Sequence, residues 1–161
     1  MGIFFSGSEL MDIAIGIEQS GAAFYDSLAK SAKNEASRGI YEYLAGEEKK
    51  HIEIFQGMLA SLTDYRLPET YTEEYDLYLK SLVDSAVFTD DQAAREMAQR
   101  VASDAEAIQI ALGAEKDSIL FYTHLRDLVR RSDCEVVDKI IGEEKSHLRQ
   151  LSELKKSLSK W

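Results

Sequence analysis

One six-residue pattern occurs twice in this chain, as Gly46-Glu47-Glu48-Lys49-Lys50-His51 and as Gly142-Glu143-Glu144-Lys145-Ser146-His147. Residues three apart on an α-helix share a face. Glu48 with His51, and Glu144 with His147, therefore each form a two-toothed ligand clamp. Glu18 and Glu115 interrupt two other apolar helical stripes in the same way. The candidate set is thus Glu18, Glu48, His51, Glu115, Glu144 and His147. Carboxylates forced together without cations would repel, and each would lose its hydration. Two divalent ions would balance the four negative charges. Imidazole with carboxylate suits iron or manganese better than calcium, and the absence of thiolate argues against a closed zinc site. Such ions lie about 3.5–4 Å apart when carboxylates bridge them. With unperturbed pKa values, the metal should leave between about pH 6 and pH 4.

Four long helical patterns must position these residues. Helix A runs from about Ser8 to Ser31, with Met11, Ala14, Ile15, Glu18, Ala22, Tyr25 and Ala29 on its stripe. Helix B begins at Asn34, a good N-cap, and carries Ile40, Leu44, Glu48, His51, Phe55 and Leu59. Helix C begins at Ser103, where Ser103 and Glu106 read as a capping box. Its stripe is Ala105, Ile108, Leu112, Glu115, Ile119, Tyr122 and Val129. Helix D begins at Ser132, with Glu135 completing a second capping box. Its stripe is Val137, Ile140, Ile141, Glu144, His147, Leu148, Leu151, Leu154 and Leu158. All four stripes have the 3.6-residue period of amphipathic helices. The A–B and C–D joints are short, so those pairs should be antiparallel neighbours. The stretch from Leu62 to Ala102 is long enough to be a crossover. Within it Tyr75, Tyr78, Leu79 and Leu82 suggest a short amphipathic helix, and Thr89-Asp90-Asp91-Gln92 can cap another or the start of an extended helix C.

The two halves match. Glu18 and Tyr25 recur at one constant offset as Glu115 and Tyr122. Glu48 and His51 recur at an offset one residue shorter, as Glu144 and His147. This is a two-helix unit repeated about a pseudo-twofold axis. Gly16, Gly46, Gly113 and Gly142 each stand two residues before a candidate glutamate and should face outward, where close packing could need them. The expected fold is all-α: a four-helix bundle with one long B–C crossover and an internal two-helix duplication, in one domain over residues 1–161.

Composition excludes several classes. The formal net charge is −10, which argues against nucleic acid, since phosphate binding needs a basic face. No apolar run is long enough to span a bilayer, and no signal-peptide pattern opens the chain. The single cysteine, Cys134, excludes an intramolecular disulfide and any Cys-based metal site. A cytoplasmic location is the expectation.

The doubled Glu-x-x-His clamp, with two matching Glu-to-Tyr elements, resembles the rubrerythrin branch of the ferritin-like di-iron proteins over helices A to D. The resemblance implies a ferritin-like fold and two iron ions, with manganese as a variant. Glu48 and Glu144 would bridge the ions, Glu18 and Glu115 would be terminal ligands, and His51 and His147 would bind one ion each. Glu47 and Glu143 match a position from which a carboxylate can orient a ligand histidine. Tyr25 and Tyr122 would act in catalysis, by hydrogen-bonding the terminal carboxylates or by supplying an electron. The implied activity is a non-haem di-iron oxidoreductase that reduces hydrogen peroxide or dioxygen, in the manner of an oxidative-stress peroxidase. Non-enzymatic iron binding or storage is the alternative.

The chain departs from the family in four places. Ser118 replaces a glutamate one turn after the helix C ligand, and Lys49 stands where bacterioferritins carry a haem-binding methionine. No Cys-x-x-Cys follows before Trp161, and no fifth helix is expected. An external electron donor such as a rubredoxin-like protein is therefore expected. His124 faces away from the ligand side. The group Tyr65, Tyr71, Tyr75 and Tyr78 should pack the crossover. Ile13, Ile17, Phe24 and Leu28 on helix A, with Ile110, Phe121, Leu125 and Leu128 on helix C, form extra apolar surface that a crossover should not cover completely. A homodimer is expected to bury the rest.

Overall fold

The structure is a computed structural model that describes residues 4–62 and 65–160; Trp161 lies outside the described residues. The long helices form where apolar residues recur at helical spacing. They are α1 (Gly7–Ser31), α2 (Glu35–Ala60), α5 (Asp104–Leu128) and α6 (Cys134–Leu158). Helices α3 (Glu73–Asp84) and α4 (Asp91–Arg100) lie within the crossover. No strand occurs among the described residues. Helices α1 and α2 pack as one pair, and α5 and α6 as the other.

Local chemistry sets the helix boundaries. Asn34 accepts from the backbone N–H groups of Ala36 (2.8 Å) and Ser37 (3.3 Å), as its type suggests. Ser6 and Glu9 form a complete capping box at the start of α1. Ser103 caps α5 by accepting from Glu106 N, but Glu106 reaches back to Ala102 N. Asp90, within the expected capping stretch, caps α4. The expected cap at Ser132 is not formed. Residues Arg131–Asp133 make a 3₁₀ turn and α6 starts at Cys134. Arg130 draws the Asp133 carboxylate into an ion pair at 2.9 Å, and its guanidinium also donates to Ser61 O. This tertiary tie closes the bundle end in place of a local cap.

The stripes of α1, α2 and α6 point inward as read, but Ala105 is exposed. The buried face of α5 is set by Ala107, Ile108, Ala111, Leu112, Ser118, Phe121, Tyr122, Leu125 and Leu128 around Glu115. Apolar side chains form two clusters. One contains Phe24, Leu44, Ile108 and Leu151. The other contains Met11, Phe55, Leu125 and Ile140.

The crossover covers more than the sequence suggests. Helix α4 lies along α1, and α3 packs against α5. Phe88 meets Phe24 with ring centroids 4.8 Å apart, and Leu79 is buried beside Leu10 and Met11. Phe24, Leu28, Phe121, Leu125 and Leu128 are buried within the single chain, while Ile13, Ile17 and Ile110 are partly buried. Those stripes therefore do not by themselves require a second copy. The crossover tyrosines pack it as expected. Tyr65 donates to Leu128 O (2.6 Å), and Tyr75 and Tyr78 pair with His124 (2.8 and 3.2 Å).

Buried Asp76 ties the N-terminal segment to α3. Its carboxylate accepts from Phe5 N (2.8 Å) and Tyr71 OH (2.5 Å), and it pairs with Lys80. Removing it would strand two donors in a partly buried setting. Asp76→Ala is expected to lower unfolding free energy by about 1–3 kcal/mol without changing metal content, because Asp76 touches none of the candidate ligands. Chemical denaturation beside elemental analysis checks both; an unchanged midpoint would show that the anchor contributes nothing.

Candidate metal centre

The structure brings all six candidate ligands into one buried layer. Glu18, Glu48, His51, Glu115, Glu144 and His147 are each at most 4% exposed. They come from four helices: Glu18 from α1, Glu48 and His51 from α2, Glu115 from α5, Glu144 and His147 from α6. Their atoms fall into two sets of four. Glu18, Glu48, His51 and Glu144 offer atoms within 4.8 Å of one another, and so do Glu48, Glu115, Glu144 and His147. Glu48 and Glu144 belong to both sets. Each set could hold one ion, with the two shared carboxylates between them.

The orientation of individual atoms fits a cation. His51 Nδ1 lies 2.8 Å from Glu144 and 3.4 Å from Glu18. His147 Nδ1 lies 3.8 Å from both Glu115 and Glu144. Yet both Nδ1 atoms, one oxygen of Glu18, one of Glu115 and both of Glu144 have no hydrogen-bond partner. Buried polar atoms are normally satisfied. A group of unpaired donor atoms of these chemical types is what divalent iron or manganese binding requires.

The atoms facing away from the centre are held. Tyr25 OH donates to Glu115 Oε1, and Tyr122 OH donates to Glu18 Oε1, each at 2.5 Å. The pairing is crosswise: the tyrosine of α1 holds the glutamate of α5, and the tyrosine of α5 holds the glutamate of α1. Burial, and then the nearest glutamate, push both phenols well above their usual pKa. Both therefore remain donors. His51 Nε2 lies 2.8 Å from Glu143. A proton on Nε2, donated to that carboxylate, leaves the Nδ1 lone pair facing the cluster.

The duplicated Glu47 does not copy Glu143; it pairs with Lys50 at 2.5 Å. The second half has Ser146 in place of that lysine, which leaves Glu143 free to reach across.

One residue of the site is absent from the sequence reading. A Cβ placed on Gly21 would come within 3.2 Å of Glu48 Oε1. Gly21 and Ser118 occupy matching positions in the duplication, so a small residue recurring there was a readable signal. Among the glycines two before each ligand, only Gly113 is closely packed, with Val87 3.1 Å from an added Cβ. His124 lies outside the cluster, as expected.

Without a bound cation, protons must supply the missing positive charge. Burial alone would lower both imidazole pKa values, but the surrounding carboxylates outweigh it. His147 is raised to about 10, and His51 is raised further. Burial also raises Glu18, Glu48 and Glu115, the last to about 8. Glu144 goes down, because its contacts with the two histidines and Glu115 outweigh burial and repulsion by Glu48. Proton competition with metal therefore begins well above the window of about pH 6 to 4 expected from unperturbed values.

Each raised group binds its proton more tightly folded than unfolded. Its contribution to stability is complete below the unfolded pKa, 4.5 for Glu115 and 6.5 for His147, and is lost as pH rises through the folded value. Protein stripped with a chelator is therefore expected to lose thermal stability steadily as pH rises from about 6 to about 10. Metal-loaded protein should not, since deprotonation favours the metal. Melting curves of both forms across that range check this; a stripped protein that gains stability would contradict it.

The geometry agrees with comparisons to known proteins. The family model for rubrerythrin matches residues 9–155. A solved Thermotoga maritima protein described as ferritin-like and diiron-carboxylate is 28% identical, with TM-score 0.70, covering 97% of this chain and 98% of that one. A hypothetical protein from Pyrococcus furiosus, 23% identical, shares the fold with TM-score 0.72 over 98% of this chain and 92% of its own. None of the curated proteins matches. With the motif, the fold and the buried Glu/His cluster in agreement, the chain belongs to the rubrerythrin family.

Proposed function

We propose that this protein is a di-iron oxidoreductase that reduces hydrogen peroxide, with dioxygen as a second oxidant, using electrons from a separate donor protein. The observation that carries this reading is the pair of four-ligand sets sharing Glu48 and Glu144, with unpaired oxygen and nitrogen atoms. Two iron ions bound there would supply the two electrons that convert peroxide to water.

The chain's own residues prepare that chemistry. Tyr25 and Tyr122 fix the outer oxygens of Glu115 and Glu18. The other oxygens of Glu18 and Glu115, which have no hydrogen-bond partner, would be left for the ions. Glu143 holds the His51 ring. The apolar clusters limit water around the layer, which strengthens every charge interaction within it. A cavity between α1 and α5 reaches Glu48, Glu115 and Tyr25. Peroxide entering there would meet the Tyr25 hydroxyl oxygen, whose hydrogen is held by Glu115.

The test is stoichiometric. Protein loaded anaerobically with ferrous iron is expected to consume one peroxide for each pair of ferrous ions and to be restored by a reductant. Glu144→Ala, which removes a ligand from both sets, should abolish this while the helical signal in circular dichroism stays. Uptake of many irons per chain, with dioxygen consumed and no peroxide turnover, would instead support iron storage and overturn the reading.

A further inference from the structure

The cavity between α1 and α5 is far larger than peroxide needs. Its volume is about 650 Å³. A water molecule's share of liquid volume is about 30 Å³, whereas pockets for small organic ligands span about 300–1,000 Å³. Its walls come from α1, α5 and the crossover, and their exposed surface is mostly apolar, with Ile17, Leu82, Phe88 and Phe121 contributing, interrupted by polar side chains such as Gln19, Thr89 and Gln92. Its inner end is formed by Glu48, Glu115 and Tyr25.

We propose that this cavity is a binding site for a neutral, largely apolar organic molecule, seated with its inner end against Glu48, Glu115 and Tyr25. Several polar groups around the rim are already paired. Ser20 donates to Asp91 (3.1 Å), Val87 N donates to Asp117 (2.9 Å), and Ala93 N donates to Asp90 (2.7 Å). The ligand is therefore recognised mainly by shape and apolar contact. Charge excludes anions. Even with two divalent ions cancelling the buried glutamates, the lining retains Asp90, Asp91 and Asp117 against a single basic residue, Arg95.

The two halves of the duplication differ at one pair of matching glycines. Gly113 is filled against by Val87 of the crossover, but its counterpart Gly16 lines the cavity, and a Cβ added there meets nothing within 4 Å. A first side-chain carbon at Gly16 would displace no neighbour's atoms, and a larger residue would extend from there. It would also raise helix propensity.

The test uses the metal-loaded, full-length protein and N-phenyl-1-naphthylamine, a neutral probe that fluoresces in apolar surroundings. Saturable binding of one probe per chain is expected. Decanol should displace the probe, and decanoate at the same concentration should not. Gly16→Leu should weaken probe binding by about tenfold or more, with metal content and circular dichroism unchanged. Ala86→Trp, which narrows the crossover wall, serves as a second blocking variant should the first fail to fold. Non-saturable binding, equal displacement by decanoate, or unchanged affinity in a folded blocking variant would overturn the proposal. The proposal rests on the cavity and not on peroxide chemistry, so a metal-loaded protein inert to peroxide would leave it standing.

Discussion

Four carboxylates and two imidazoles buried in the middle of a helical bundle form the constraint on which the rest depends. In water these groups would be hydrated; here they are at most 4% exposed. Their charge must be balanced by metal ions or by protons, and the unusual pKa directions of His147 and Glu115 express the second solution. The apolar clusters and the crosswise tyrosine bonds make sense as devices that hold this costly layer in one arrangement. Buried charges alone contribute little net stability, so the layer is better understood as a functional feature that packing elsewhere supports.

Much of this was legible because helices turn spacing into direction. A Glu three residues before a His, repeated at a constant offset beside two Glu-to-Tyr elements, identifies a face and a pairing without any tertiary information. Spacing does not say which partner a side chain meets across the bundle. Tyr25 and Tyr122 share faces with Glu18 and Glu115, yet each bonds the glutamate of the opposite helix. Local competition was also hidden. Lys50 takes Glu47 away from the role that Glu143 performs, and Arg130 takes up Asp133 where a cap at Ser132 was expected.

The crossover was the least legible segment, because its value lies in long-range contact. Leu79 and Phe88 say little alone, but they cover apolar stripes that would otherwise call for a second copy. The same segment forms one wall of the cavity beside the metal centre, and Asp117 and Ser20 fasten it to α5 and α1. Covering the bundle and shaping access to the centre are thus one structural act. No helix among the described residues is long and apolar enough to cross a membrane.

The central claim is that the six residues together hold two ions. Anomalous X-ray scattering at the iron edge, from crystals of protein loaded with ferrous iron without oxygen, tests it most directly. The account predicts two peaks per chain, one bounded by Glu18, Glu48, His51 and Glu144 and the other by Glu48, Glu115, Glu144 and His147. A single peak in fully loaded protein, or peaks away from these side chains, would contradict it.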